Sequence, residues 1–377
     1  MRSFGVSIFC LGLILSVQAF AQGQNSVVIG PKEKPARFDA EWRVSLSGRD
    51  RSDLQSQSKM VDFRMDLKSE YRLAPSLLLD IQPSFRLQSG QVQSVDGADK
   101  ADNKILLHQV AAHYTPFRFL RFSAGALDQR YSHTTLLVDE LAFPAGRINL
   151  YLKGDRWATG FLIETAIPTS TSMSTNTNKL EATPSMNSAA LKLNWISSSR
   201  LSWKSSVGYF AYNNLPSAVA KDSNMLGNDV DEITTAEYKF RYDYQGIEAS
   251  SRLSFPVLMA LDVYVGGEYL QNDKAPSSLN AASRYLIGGE WFMSRALGLT
   301  LETSYFSIAP EAAVAYFNAR NYETNRVGYA LESYMSFKKQ GFKVGFKYTD
   351  ADLMYKDNDQ SRQKSLMIKL ETFYASI

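Results

Sequence analysis

The sequence predicts an all-β chain, a transmembrane antiparallel β-barrel of about 16 strands. Three observations predict it. Apolar and polar residues alternate with a period of two through much of the 377-residue chain, which puts one set on each face of a strand. The alternating runs are about 12 residues long, more than the 5 or 6 of an ordinary sheet strand and enough to cross a bilayer at a tilt. The connections between runs alternate short and long.

The pattern is clearest over residues 61–87. Val61, Phe63, Met65, Leu67, Tyr71 and Leu73 alternate with Asp62, Arg64, Asp66, Lys68, Glu70 and Arg72. Ala74-Pro75-Ser76 is a tight turn. Leu77, Leu79, Ile81, Pro83, Phe85 and Leu87 then take one face. One face meets something fully apolar and the other meets water.

Upstream, residues 4–20 are an apolar run and Ala19-Phe20-Ala21 fits the small-x-small cleavage rule, which predicts a secretory signal peptide over 1–21. Cleavage there removes Cys10, the only cysteine, and with it disulfide and thiolate chemistry. Residues 22–35 form a polar periplasmic lead, too short for a plug domain. The barrel is expected over 36–377. Charge is nearly even, with 41 Lys and Arg against 38 Asp and Glu, which argues against a nucleic-acid partner.

The first strand, 37–47, sets Phe38, Ala40, Trp42, Val44 and Leu46 against Asp39, Glu41, Arg43, Ser45 and Ser47. Over 104–114 the alternation is ambiguous; the reading places Leu106, Val110, Ala112 and Tyr114 toward lipid. Residues 128–146 do not alternate. They hold Asp128, Arg130, His133, Asp139 and Glu140 and end in Phe143-Pro144-Ala145-Gly146. Strands follow over 147–153, 157–167, 188–196 and 201–212.

Residues 233–255 carry two opposed phases. Ala236, Tyr238, Phe240, Tyr242 and Tyr244 share one; Ile247, Ala249, Ser251, Leu253 and Phe255 share the other. The slip at Gln245-Gly246 is either a hairpin turn or a β-bulge inside one long strand. Barrels of this kind have short periplasmic turns, long external loops and an even strand number. One bulged strand gives about 16, so the bulge is expected. Later strands run over 261–270, 283–291, 297–308, 326–337, 342–349 and 364–374.

This organisation resembles bacterial outer-membrane porins, and the likeness covers nearly all of the chain after the signal peptide. Gly125-Ala126-Leu127-Asp128-Gln129 through Ala142-Phe143-Pro144, and Pro256 through Gly267-Glu268-Tyr269 with Asn272, resemble corresponding porin stretches. The chain departs from the usual terminal aromatic residue, since Ala375-Ser376-Ile377 follows Phe373-Tyr374. The resemblance implies a water-filled channel in the outer membrane of a Gram-negative bacterium, passing small hydrophilic solutes or ions. Its partners would be outer-membrane lipid and lipopolysaccharide, with a possible homotrimer.

The resemblance also implies a third loop that narrows the channel. Residues 128–146 carry the apolar run Leu136, Leu137, Val138, Leu141 and Phe143, which a loop folded into the lumen could pack. Asp139 and Glu140, with Asp128 and Arg130 nearby, would face a basic wall of Arg43, Arg64 and Arg86, and Arg72 would line the same inner face. Opposed charges of this kind order solutes by charge. The alternative is a loop that covers the mouth from outside.

Enzymatic chemistry is not expected. Ser132-His133 are sequence neighbours that would point to opposite faces of a strand, which does not make a nucleophile and base. His108 and His113 differ by five positions, so they are expected on opposite faces, unable to share a metal. The loop aspartates lack EF-hand spacing. No cofactor is predicted. The competing function is a non-channel barrel, structural or adhesive, or a barrel lipid hydrolase.

Overall fold

The computed structural model describes residues 38–54, 57–93, 103–168, 181–235, 237–318, 322–357 and 359–376. The expected signal peptide (1–21) and the lead (22–35) lie outside the described residues.

The strands are β1 (Phe38–Ser52), β2 (Gln57–Ala74), β3 (Leu77–Gln93), β4 (Lys104–Phe117), β5 (Leu120–Asp128), β6 (Ala142–Lys153), β7 (Trp157–Ala166), β8 (Ser185–Ile196) and β9 (Ser202–Asn213). Two short ones follow, β10 (Val230–Thr234) and β11 (Glu237–Phe240). The remainder are β12 (Gln245–Leu258), β13 (Leu261–Asn272), β14 (Ala281–Trp291), β15 (Leu297–Ile308), β16 (Arg326–Phe337), β17 (Phe342–Leu353), β18 (Gln363–Thr372) and β19 (Ala375–Ser376). The helices are α1 (Ser217–Asn224) and α2 (Ala315–Asn318).

Neighbouring strands pair antiparallel around a closed 16-strand ring. The ring closes where β1 meets β18, from Ser45 opposite Glu371 to Ser52 opposite Lys364, and β19 prolongs that seam to Glu41 and Trp42. Closure removes the unpaired edges that bilayer hydrocarbon would not tolerate. The period-two alternation becomes two faces. Leu301, Tyr305, Ile368 and Phe161 are exposed on the outside, while Glu371 turns inward to Lys343 at 2.7 Å and Arg43 at 3.3 Å.

Two departures from the sequence reading have clear causes. In β4, Gln82 pairs with Gln109 and Pro83 with Leu107, so His108 is an extra residue. A proline without an N–H suits such a bulge. The phase therefore changes at His108. Ile105 and Leu107 are the exposed residues before the bulge, and Leu106 is not on the lipid face. His108 and His113 both face inward, contrary to expectation: His108 Nε2 lies 2.5 Å from Arg64, and His113 Nδ1 lies 2.8 Å from Ser123. Among the described residues no group of His, Cys, Asp or Glu could hold a metal ion.

The second departure is residues 233–255, which form neither of the two expected arrangements. β10 and β11 make a separate hairpin that is not part of the barrel wall, and β12 begins only at Gln245, paired with Ala211 of β9. Phe240 and Tyr244 are buried in a core rather than facing lipid. Gly246 stands where a Cβ would meet the Gln271 backbone, so the close approach of β12 and β13 requires it. The count of 16 stands because the hairpin adds nothing to the ring.

Three long connections, L3 (residues 129–141), L5 (214–244) and L7 (309–325), share an apolar core with the adjoining strand ends. It contains Leu136, Leu137 and Val138 of L3, Val219 and Tyr244 of L5, and Ala312, Val314 and Phe317 of L7. Phe143, Phe210, Leu270 and Phe306 meet them from the wall. The lumen-facing ends of these strands are thus apolar because they contact protein, not lipid.

Candidate functional site

L3 is built from both of its ends. Asp128, the last residue of β5, caps a 3-10 turn over Gln129–Tyr131 by accepting from Arg130 N at 3.0 Å. It also pairs with the Arg130 guanidinium at 2.5 Å. Arg130 reaches forward to Glu140 at 2.8 Å, which closes the loop on itself. Glu140 then meets Arg64 of β2 at 3.3 Å.

The far side of L3 is fixed to other strands. Thr134 donates to Glu248 of β12 through its N–H at 2.8 Å and its hydroxyl at 2.9 Å, and His133 Nδ1 lies 2.6 Å from the other oxygen. Thr135 donates to Glu268 of β13 at 2.6 Å. In the ring, β2 and β12 stand eight positions apart and therefore on opposite walls. L3 consequently crosses the whole lumen. L7 supports it from one side, with Asp139 N–H donating to Phe317 O at 2.8 Å and Asn318 donating to Leu136 O at 3.0 Å.

The predicted residues separate into groups. Glu140, Arg130, Asp128 and Arg64 come together. Arg43 and Arg64 share Asp66, each at 2.6 Å, and Arg86 pairs with Asp62 at 2.5 Å. The basic wall is therefore neutralised by its own acids, because cross-strand register sets Arg43 opposite Asp66. Asp139 does not face that wall; it is buried at the L3–L7 contact. Arg72 is exposed beside the short turn after β2 and joins neither group. A 3.3 Å contact leaves no gap for a solute between Glu140 and Arg64, so the two form a strut rather than a slot.

Burial opposes ionisation of Glu140, but the Arg130 and Arg64 guanidiniums outweigh it and hold the carboxyl down at about 2. The strut is therefore charged through the neutral range. A depressed carboxyl keeps its contribution above its ordinary range and loses it only as pH falls through about 2.

L7 was not apparent as a functional element from the sequence, although Ala312, Ala313, Val314, Ala315 and Phe317 form an apolar run of the same kind as that in L3. Its Glu311 is fully buried. Asp229 N–H and the Tyr244 hydroxyl donate to its two oxygens at 2.5 and 2.7 Å. Burial pushes this carboxyl up to about 7, against the lowering effect of those two bonds. Stability is therefore full below the ordinary carboxylate value of 4.5 and declines as pH rises through about 7. The shift corresponds to on the order of 3 kcal/mol. Amides of the L5–L7 junction should thus exchange hydrogen on the order of 100-fold faster at pH 8 than at pH 5, after correction for intrinsic rates. In Glu311→Gln this dependence should vanish; its persistence would assign it to another group.

No protein-family model matches the chain, and no curated protein matches it either. Solved structures do. OprB of Pseudomonas putida, in its high-pH structure, aligns with a TM-score of 0.54 at 11% identity, over 90% of this chain and 94% of that one. A loop-deletion mutant of OmpT, an outer membrane protein of Vibrio cholerae, aligns at 0.52 and 10% identity, over 90% and 100%. The in-vitro folded OmpT in its trimer form aligns at 0.51 and 10% identity, again over 90% and 100%. The chain has the porin-like fold of an outer-membrane β-barrel.

Proposed function

We propose that this protein is an outer-membrane channel for passive diffusion of small hydrophilic solutes or ions, narrowed by L3. The observation that carries the reading is L3 itself, held across the lumen by Glu140 on one wall and by Thr134 and Thr135 on the other. A ring of 16 strands encloses more space than its side chains fill, and an inward charged face suits water. The strut narrows the lumen without needing an external lid. A homotrimer, the form recorded for the Vibrio cholerae protein, is the assembly we infer; cross-linking that yields only monomers in native membranes would count against it.

Planar-bilayer recording tests the channel. Discrete conductance steps are expected, and deletion of residues 134–141 should enlarge them. Glu140→Gln should shift the reversal potential toward anions. A unit charge about 10 Å from a passing ion in water is worth about 0.4 kcal/mol, a factor of about two in permeability ratio. If the purified barrel inserts but conducts nothing, the structural or adhesive reading takes its place.

A further inference from the structure

On the short-turn side of L3 the wall of β8, β9 and β12–β15 encloses a recess of about 350 Å³. Its charges are unevenly matched. Arg284 holds both Glu268 and Glu302, at 3.4 and 2.7 Å, and Glu248 is occupied by L3. Lys192, Lys204 and Arg252 have no carboxylate within ion-pair distance among the described residues. Lys192 donates to the Tyr131 carbonyl of L3.

Lys204 and Arg252 are direct cross-strand partners. Like charges placed opposite one another on one face of a sheet repel, and here no intervening acid relieves them. The Arg252 guanidinium lies 3.7 Å from the centre of the Tyr264 ring. Stacking fixes its plane and leaves its N–H edge available for a paired acceptor. Ser206 and Ser250 line the same recess, and Gly266 opposite adds no side chain.

We infer that this recess is a binding site for small hydroxylated oxyanions, in which Lys204 and Arg252 clasp a carboxylate or phosphate, Lys192 adds a third positive charge and the serines bond to solute hydroxyls. The inference rests on the channel reading only for how solute arrives, because the site itself can be measured without conduction.

Equilibrium binding to the full-length protein in detergent micelles, at low ionic strength, is the test. Gluconate, glucose 6-phosphate and glucose are compared. The two anions should bind at least tenfold more tightly than glucose, and the stronger of the two identifies the preferred head group. Lys204→Ser with Arg252→Ser should weaken anion binding at least tenfold; Lys204→Arg with Arg252→Lys, which keeps both charges, should restore it; Lys339→Ser, in a distant turn, should change nothing. Heat-modifiable migration on gels checks that each variant is folded. Equal binding of gluconate and glucose, or unaltered anion binding in the folded double serine variant, would overturn the site. Gluconate binding without conductance would retain the site and reject the channel; conductance without selective anion binding would do the reverse.

Discussion

Ile368→Arg should destabilise the barrel by about 2–4 kcal/mol, the cost of a cation on the lipid face near mid-membrane. Ile368 sits midway along β18, opposite Gly48 and Phe346, with its side chain turned outward and 55% exposed. Its direct cross-strand partners, Gly48 and Phe346, offer no carboxylate to receive the charge. Lys369→Arg, one residue on, should stay within about 0.5 kcal/mol. Lys369 points inward and pairs with Glu371, a partner an arginine can keep. Urea titrations of refolding into lipid vesicles would measure both. Equal losses at the two positions would mean that the faces of β18 are wrongly assigned.

Phe317→Ala should release L3 from its support. The ring is fully buried and meets Phe143 edge-on at 5.4 Å and Tyr212 in a stack at 5.7 Å. Its carbonyl accepts from Asp139. Removing a buried phenylalanine costs about 3–5 kcal/mol. That loss should fall on the loop core, since the barrel ladder does not depend on this ring. Two readouts follow. Amides of Leu136 to Asp139 should exchange on the order of 100-fold faster or more, and single-channel current should become larger and noisier. Heat-modifiable migration should persist. If exchange at L3 is unaltered, the loop is held by its polar contacts with Glu248 and Glu268 alone.

Much of the barrel was legible because its cause is local. Each strand separates lipid from water, so Val61, Phe63 and Met65 must alternate with Asp62, Arg64 and Asp66 whatever lies elsewhere. Strand number and most of the outward faces follow from that contrast. The alternation of Phe240 with Tyr244 looked the same and meant something else, because burial in a loop core selects the same residues as burial in lipid. Only tertiary contacts distinguish the two.

What the structure alone decided concerns pairs distant in the chain. One extra residue at His108 reverses a face, and it is visible only against Pro83 of the neighbouring strand. Register gives Asp66 to Arg43, and Arg64, two residues away on the same strand, shares it, which neutralises a wall that composition presented as basic. It also sets Lys204 against Arg252 without an acid. Ring closure brings Glu140 to one wall and Thr134 to the opposite one. A sequence reports what each residue prefers as its surroundings, water or hydrocarbon. Which charge meets which is a matter of where sixteen strands place them when the ring closes.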